Sequence, residues 1–148
     1  MADQGEASAP DTKPRAATTR AELTLYASVA AGSVIGSVLR WLVGLALPWG
    51  TLFVNLTGSF AIGLFAGITA PGGRWFVGPR VRQFVMTGVC GGYTTFSMFS
   101  LETLRMLQQG KVFAAAGYIA LSLVAWLGSV WVGDALAIRF NRLKGAKP

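Results

Sequence analysis

The chain has 148 residues, of which 53% are hydrophobic and only 13% charged, with a formal net charge of +7. That composition is too apolar and too charge-poor for an ordinary soluble domain of one-domain length. With no histidine and one cysteine, Cys90, a Ser-His-Asp set, an internal disulfide and a thiolate metal cluster are all excluded. The basic residues lie almost entirely between or outside the apolar runs, so the net charge does not mark a nucleic-acid-binding face.

Residues 1–20 are rich in Ala, Thr, Pro and charge and carry no periodic apolar pattern, which predicts a disordered tail. They contain no apolar core of a signal peptide. Four apolar runs follow across residues 21–140: about Leu23 to Leu47, Thr51 to Ala70, Val81 to Leu107, and Val112 to Phe140. Each is long enough to cross a hydrocarbon core of roughly 30 Å as a helix. The short connections make sequential helices antiparallel. Residues 141–148 form a basic tail. The expected fold is an all-α integral membrane protein with four transmembrane helices, in the cell (plasma or inner) membrane.

Lysine and arginine set the orientation. With four spans, the N-terminus, the second loop and the C-terminus share one side. That side holds Lys13, Arg15, Arg20, Arg74, Arg80, Arg82, Arg139, Arg142, Lys144 and Lys147. The other holds Arg105 and Lys111, and Arg40 if it is counted. Both termini are expected in the cytoplasm.

In the first span Gly32, Gly36, Arg40 and Gly44 recur every fourth residue and share a face that another helix can approach closely. Arg40 either snorkels to an interface or faces a wet, paired interior. In the second, Asn55, Ser59, Gly63 and Gly67 share a face. Asn55 is either an interhelical hydrogen-bonding residue or part of a polar solute path. The third contains GVCGGYTTFSMFSLE, residues 88–102, whose Gly91 to Thr95 should break the helix. A broken membrane helix is tolerated only where the unwound backbone is buried in protein or lines a cavity. Its freed carbonyls suit a cation. Phe96 and Phe99 share a face beyond the break; packing is the ordinary use of such a pair, but ring edges carry partial positive charge and can touch an anion. In the fourth span Tyr118, Ser122, Ser129 and Gly133 make a hydroxyl stripe, set against the common back-bonding of Ser to its own helix. The tryptophans, Trp126 among them, are read as including interfacial anchors, with no solute role assigned to any.

No HExxH, CxxC or phosphate-loop lysine appears, and an enzyme is not expected. Apart from Arg82 and Arg139 at the span ends, the charged residues in the spans reduce to Arg40, Glu102, Arg105 and Asp134, with Glu102, toward the end of the third, a weak candidate for a proton carrier. These features favour passive permeation and, on physical grounds alone, describe a broken-helix channel or carrier of unknown solute.

GSVIGSVLRW, GTLFVNLTGSF and GVCGGYTTFSMFSLE, in that order, resemble the Fluc/CrcB fluoride ion channel family over roughly residues 24–138. The resemblance implies a four-helix subunit, its third helix broken mid-membrane, that pairs antiparallel into a dimer with two fluoride pores. It implies a structural sodium ion at the dimer interface, held by backbone carbonyls matching Gly91 and Thr94. Phe96 and Phe99 match phenylalanines whose ring edges face fluoride, and Asn55 matches the pore asparagine. Thr95 supplies a hydroxyl beside the break; Tyr118 and Ser122 correspond to the hydroxyl track of the fourth helix. Arg40 and Glu102 match recurrent polar positions. The implied function is passive export of cytoplasmic fluoride, with fluoride, the lipid bilayer and a second subunit as partners and no nucleic acid.

Two residues depart from the pattern: Met98 stands where a small hydroxyl residue is expected, and Tyr93 where an aliphatic residue or Phe is usual. The strong Lys/Arg bias also sits awkwardly with a subunit inserting both ways, which leaves a homodimer or a heterodimer with an oppositely oriented paralogue. The alternatives are a small four-helix multidrug antiporter, which needs a carboxylate that Leu23 to Leu47 lacks, and a non-transporting membrane scaffold, which leaves the break and its phenylalanines unexplained.

Overall fold

The computed structural model describes residues 15–142 and is all-helical over them. Helix α1 spans Arg15–Ala46, α2 Gly50–Ile68 and α3 Pro79–Gln83. A wider, π-helical stretch, Phe84–Cys90, continues α3 and runs into α4, Gly91–Tyr93. After Thr94 and Thr95 come α5, Phe96–Gln108, and α6, Val112–Arg142. α1 therefore begins inside the segment 1–20 read as a tail; the rest of that segment, 1–14, lies outside the described residues, as do 143–148.

The ends of these helices follow from local chemistry. α1 runs through a stretch free of proline and stops just before Leu47, whose conformation is restricted by Pro48. Pro79 opens α3 at a position where its missing N–H costs nothing. Thr95 caps α5 by accepting from the Met98 amide at 3.2 Å. Gly110, at φ 71°, turns the chain out of α5 in a left-handed conformation that favours glycine.

Among the described residues, three helices are long and apolar enough to cross a membrane: Thr19–Ala46 within α1, α2 and α6. Their outer faces are apolar, with Phe113 94% exposed and Leu127 72%. Such a surface suits hydrocarbon rather than water as its solvent. The chain is a multi-pass membrane protein. The run 81–107, expected as the third span, consists of two helical stretches separated at Thr94–Thr95.

Helices pack in two close pairs. α2 lies along α6, with a Cβ at Gly63 falling 2.4 Å from the Val130 carbonyl oxygen and one at Gly133 2.4 Å from that of Phe60. Ser129 Oγ donates to the Leu56 carbonyl across this seam at 2.7 Å, and Asn141 Nδ2 to that of Gly67 at 2.9 Å. Ser129 and Gly133 thus belong to helix packing and not to a hydroxyl path, which corrects the lower half of the stripe expected on α6. α1 packs against residues 84–93. A Cβ at Gly36 would lie 2.2 Å from the Val89 carbonyl oxygen, and one at Gly32 2.6 Å from that of Phe84. Gly44, expected on the same contact face, has no atom within 4 Å of its would-be Cβ among the described residues.

Within the stretch Gly91 to Thr95 expected to break the third helix, the break falls at the two threonines and not at the glycines. Gly91 has helical dihedrals, φ −65° and ψ −38°, and Gly91–Tyr93 form a turn of helix. A Cβ at Gly92 would sit 2.4 Å from the Ser33 carbonyl oxygen, so that glycine serves close approach to α1. The break lies two residues later, where Thr94 (ψ 160°) and Thr95 (φ −151°, ψ 120°) are extended. β-Branched residues favour that conformation, and the Thr95 hydroxyl gains its cap by adopting it.

Candidate functional site

Interrupting a helix frees backbone groups that must find partners within the protein. Here three helices supply them. Asn55 on α2 is buried and uses both ends of its amide: Oδ1 accepts from the Thr95 N–H at 2.7 Å and Nδ2 donates to the Thr95 carbonyl at 2.9 Å. In an unbroken helix that Thr95 N–H would go to the Gly91 carbonyl. Arg40 on α1 donates from Nη1 to the Thr94 carbonyl at 2.8 Å, and Ser37 Oγ reaches that of Gly92 at 3.4 Å. Arg40 is therefore paired with the break, which resolves its two readings in favour of the interior one. Asn55 thus makes the interhelical hydrogen bonds of its first reading, and its amide retains one N–H beyond them, which leaves the second reading open.

Around the break lie two cavities. One, of about 270 Å³, is lined by Asn55, Ser59, Cys90, Gly91, Thr94, Thr95, Phe96 and Trp126 among others. The other, of about 410 Å³, is lined by Ser37, Arg40, Thr51, Thr95 and Met98 with apolar neighbours. Thr95 borders both. Met98 thus faces the Arg40 cavity and does not line the cavity that holds Phe96. The Tyr93 hydroxyl lies 3.0 Å from Thr57 Oγ1, engaged with α2.

Phe96 and Phe99 stand side by side, ring centroids 5.5 Å apart, but in different surroundings: Phe96 is 69% exposed and Phe99 only 6%. Phe99 meets the Tyr118 ring at 5.3 Å and the Trp126 ring at 4.9 Å, the latter edge to face. Tyr118 in turn donates to Glu102 Oε2 at 2.5 Å, while Thr51 donates to Oε1 at 2.6 Å. Glu102 and Tyr118 border a third cavity, of about 220 Å³, with Pro48, Trp49, Leu52 and Met106. The anticipated residues therefore fall into two clusters. Asn55, Gly91, Thr94, Thr95, Phe96 and Arg40 surround the break; Phe99, Tyr118, Ser122 and Glu102 lie between α5 and α6, with the Phe96–Phe99 pair joining them.

One participant was not anticipated. Trp126 was grouped with the interfacial tryptophans, yet it lines the first cavity and packs on Phe99. Its Nε1 and the Ser122 Oγ, one helical turn apart, are buried without a hydrogen-bond partner among the described residues. An indole N–H can only donate, so it is satisfied by an acceptor and by nothing else. The available signal was spacing: Trp126 follows Ser122 by four residues, as Ser122 follows Tyr118. Trp126→Phe keeps the ring packing and removes the donor. It is expected to weaken binding of an anion that occupies this cavity roughly tenfold, the effect of losing one hydrogen bond of about 1.4 kcal/mol. Unchanged anion binding would leave Trp126 with packing alone.

Comparison with known proteins adds the last observation. The family model described as "CrcB-like protein, Camphor Resistance (CrcB)" matches residues 27–134. A protein named fluoride-specific ion channel FluC 1 from Rhodopseudomonas palustris is 54% identical over 134 residues, covering 85% of this chain and 95% of its own. Another FluC 1, from Bradyrhizobium diazoefficiens, is 56% identical over 126 residues, 81% of this chain and 89% of its own. A fluoride-specific ion channel FluC from Opitutus terrae is 48% identical over 132 residues, 84% of this chain and all of its own.

Proposed function

The chain belongs to the CrcB family, and from that premise we propose that it is a subunit of a fluoride-selective ion channel exporting cytoplasmic fluoride passively. It is a channel protein and not an enzyme. The observation that carries this reading is the similarity, over four-fifths of the chain or more, to proteins named fluoride-specific ion channels.

The chemistry of the break supports it. Fluoride is small and strongly hydrated, so a path for it must replace water with hydrogen-bond donors. The remaining Asn55 N–H, the Thr95 and Ser122 hydroxyls and the positive ring edges of Phe96 and Phe99 are such donors, whereas the Tyr118 hydroxyl gives its one proton to Glu102. In this reading fluoride passes from the cavity beside Asn55 and Thr95, along the two phenylalanine edges, toward Ser122 on α6. Ring edges attract weakly, which lets the ion leave as well as enter. Arg40 and Glu102 act as positioning residues, Arg40 through the Thr94 carbonyl and Glu102 through the Tyr118 hydroxyl. Hydrogen fluoride, a weak acid, crosses bilayers neutral and dissociates inside. An inside-negative potential then drives the anion out at about 2.3 kcal/mol per 100 mV. No coupling ion is required.

In the same reading α3 to α5 make one membrane span broken at Thr94–Thr95, the third of four, and two subunits pair antiparallel. The exposed Phe96 and Gly91, beside an open cavity, favour a second subunit covering that face. The carbonyls of Gly91 and Thr94 fit a structural sodium ion there. The first has lost its ordinary amide partner to Asn55, and the second offers the lone pair that Arg40 leaves free. Bound sodium would supply positive charge at the subunit junction.

The Lys and Arg bias favours one orientation per subunit and hence an oppositely oriented paralogue as partner, with a homodimer as the other possibility. Reconstitution of this chain alone decides between them: little fluoride efflux is expected from the sole subunit of an obligate heterodimer, and robust efflux supports the homodimer. In the flux-competent assembly Phe96→Ile is expected to lower fluoride efflux at least about tenfold, since it removes the ring edge. Because Phe96 is largely exposed within the subunit, its folding should be little affected. Wild-type efflux from Phe96→Ile would remove that ring from the path.

A further inference from the structure

Away from the break, the loop between α2 and α3 folds back over the end of α2. Gly73 donates to the Ala70 carbonyl at 2.7 Å and Trp75 to that of Ile68 at 3.2 Å. The loop encloses a cavity of about 430 Å³ whose wall includes Trp75, Phe76, Pro79, Arg82 and Gln83. No acidic residue lines it. Arg82 contributes a guanidinium whose Nε is buried and makes no hydrogen bond among the described residues. A guanidinium carries five donors and no acceptor, and it keeps its charge at any relevant pH. Arg82 as a whole is only partly buried, so its outer N–H groups stay open to an acceptor while the shielded Nε–H lacks one. An unpaired donor of this kind in a native site calls for a bound acceptor.

The rest of the cavity indicates which acceptor. Phe76 is 99% exposed and Trp75 58%, at the point where the membrane-length helix α2 ends. Aromatic side chains so placed lie at headgroup depth. An arginine beside them meets lipid phosphate, which its planar fork matches. We propose that Arg82 and the Trp75–Phe76 loop form a binding site for an anionic phospholipid, with the guanidinium on the phosphate and Phe76 against the upper acyl chain. The inference stands apart from the fluoride reading, since no residue of the break takes part.

Native mass spectrometry of the full-length protein in detergent tests it, using phosphatidylglycerol, phosphatidylcholine and inorganic phosphate as probes. The wild type is expected to retain phosphatidylglycerol over phosphatidylcholine, with millimolar inorganic phosphate failing to displace it. Arg82→Gln should lower phosphatidylglycerol retention roughly fivefold, as expected for one basic residue at a lipid surface. Phe76→Ser, at a position fully exposed in the subunit and so harmless to folding, should weaken retention as well. Wild-type retention by Arg82→Gln would overturn the proposal. So would displacement by inorganic phosphate, which would indicate a free-anion site. If Arg82→Gln fails to fold, undiminished retention by Phe76→Ser overturns it alone.

Discussion

Asn55→Asp is expected to reduce fluoride efflux by roughly a hundredfold or more while the protein still folds. Aspartate keeps an oxygen for the Thr95 N–H, so half of the clamp survives. The other half is lost: the donor to the Thr95 carbonyl becomes a second acceptor facing it. A carbonyl left unpaired costs about 1–3 kcal/mol. The larger effect falls on the anion. A carboxylate about 4 Å from a passing fluoride raises its energy by about 4 kcal/mol at an effective dielectric of 20, enough for a drop of more than a hundredfold. Asn55→Ala separates the two contributions, because it removes both bonds to Thr95 without adding charge. It should destabilise the break more than the aspartate does and impede the ion less. Efflux from liposomes, read beside size exclusion of the same preparations, distinguishes these outcomes. Wild-type efflux from Asn55→Asp would mean that the cavity beside Asn55 is not on the ion's route.

The second large effect falls on folding. Gly36→Val should leave little correctly folded protein. Any Cβ at residue 36 falls 2.2 Å from the Val89 carbonyl oxygen and 2.6 Å from the Tyr93 amide nitrogen. Both obstacles are backbone, so neither can rotate away. Overpacking of this kind costs about 1–3 kcal/mol for a single added methyl group, and a branched side chain adds to it. The strain lands on the segment that leads into the break, so displacing α1 also pulls Arg40 from the Thr94 carbonyl. Gly117→Ala is the matched control, because nothing lies within 4 Å of its would-be Cβ among the described residues. Thermal stability in detergent should fall for the first variant and stay level or rise slightly for the second. Equal stability would mean that α1 and residues 84–93 are less closely packed than described.

Much of this architecture was legible in the residues because length and hydropathy are local properties. α1, α2 and α6 coincide closely with three of the apolar runs. The four-residue spacing of Gly32 and Gly36 correctly marked a face for close approach. What sequence could not supply was the partner across each face. Asn55 announced itself as a buried amide, but its engagement with the Thr95 backbone depends on the rotation of α2 against residues 94–95. The breaker expected from sequence is the whole of Gly91 to Thr95, its glycines included because glycine permits any conformation. Permission is not compulsion, and the packing of Gly92 against Ser33 held that turn helical while two threonines took the extended conformation. Ser129 and Gly133 shared a helical face with Tyr118 and Ser122, yet α6 is long enough to meet α2 with one part and α5 with another. Trp126 was set aside because tryptophan in a membrane protein usually anchors an interface. Its burial against Phe99 is a tertiary fact with only a spacing hint behind it.

The central claim is that the path selects fluoride. Liposomes loaded with potassium fluoride or potassium chloride, containing the purified assembly and opened to potassium by an ionophore, test it most directly. Fluoride should leave rapidly while chloride remains, with rates differing by at least about a hundredfold, the ratio that ~2.7 kcal/mol of preference supplies. Equal efflux of the two anions, or fluoride efflux no faster than from protein-free liposomes, would contradict it.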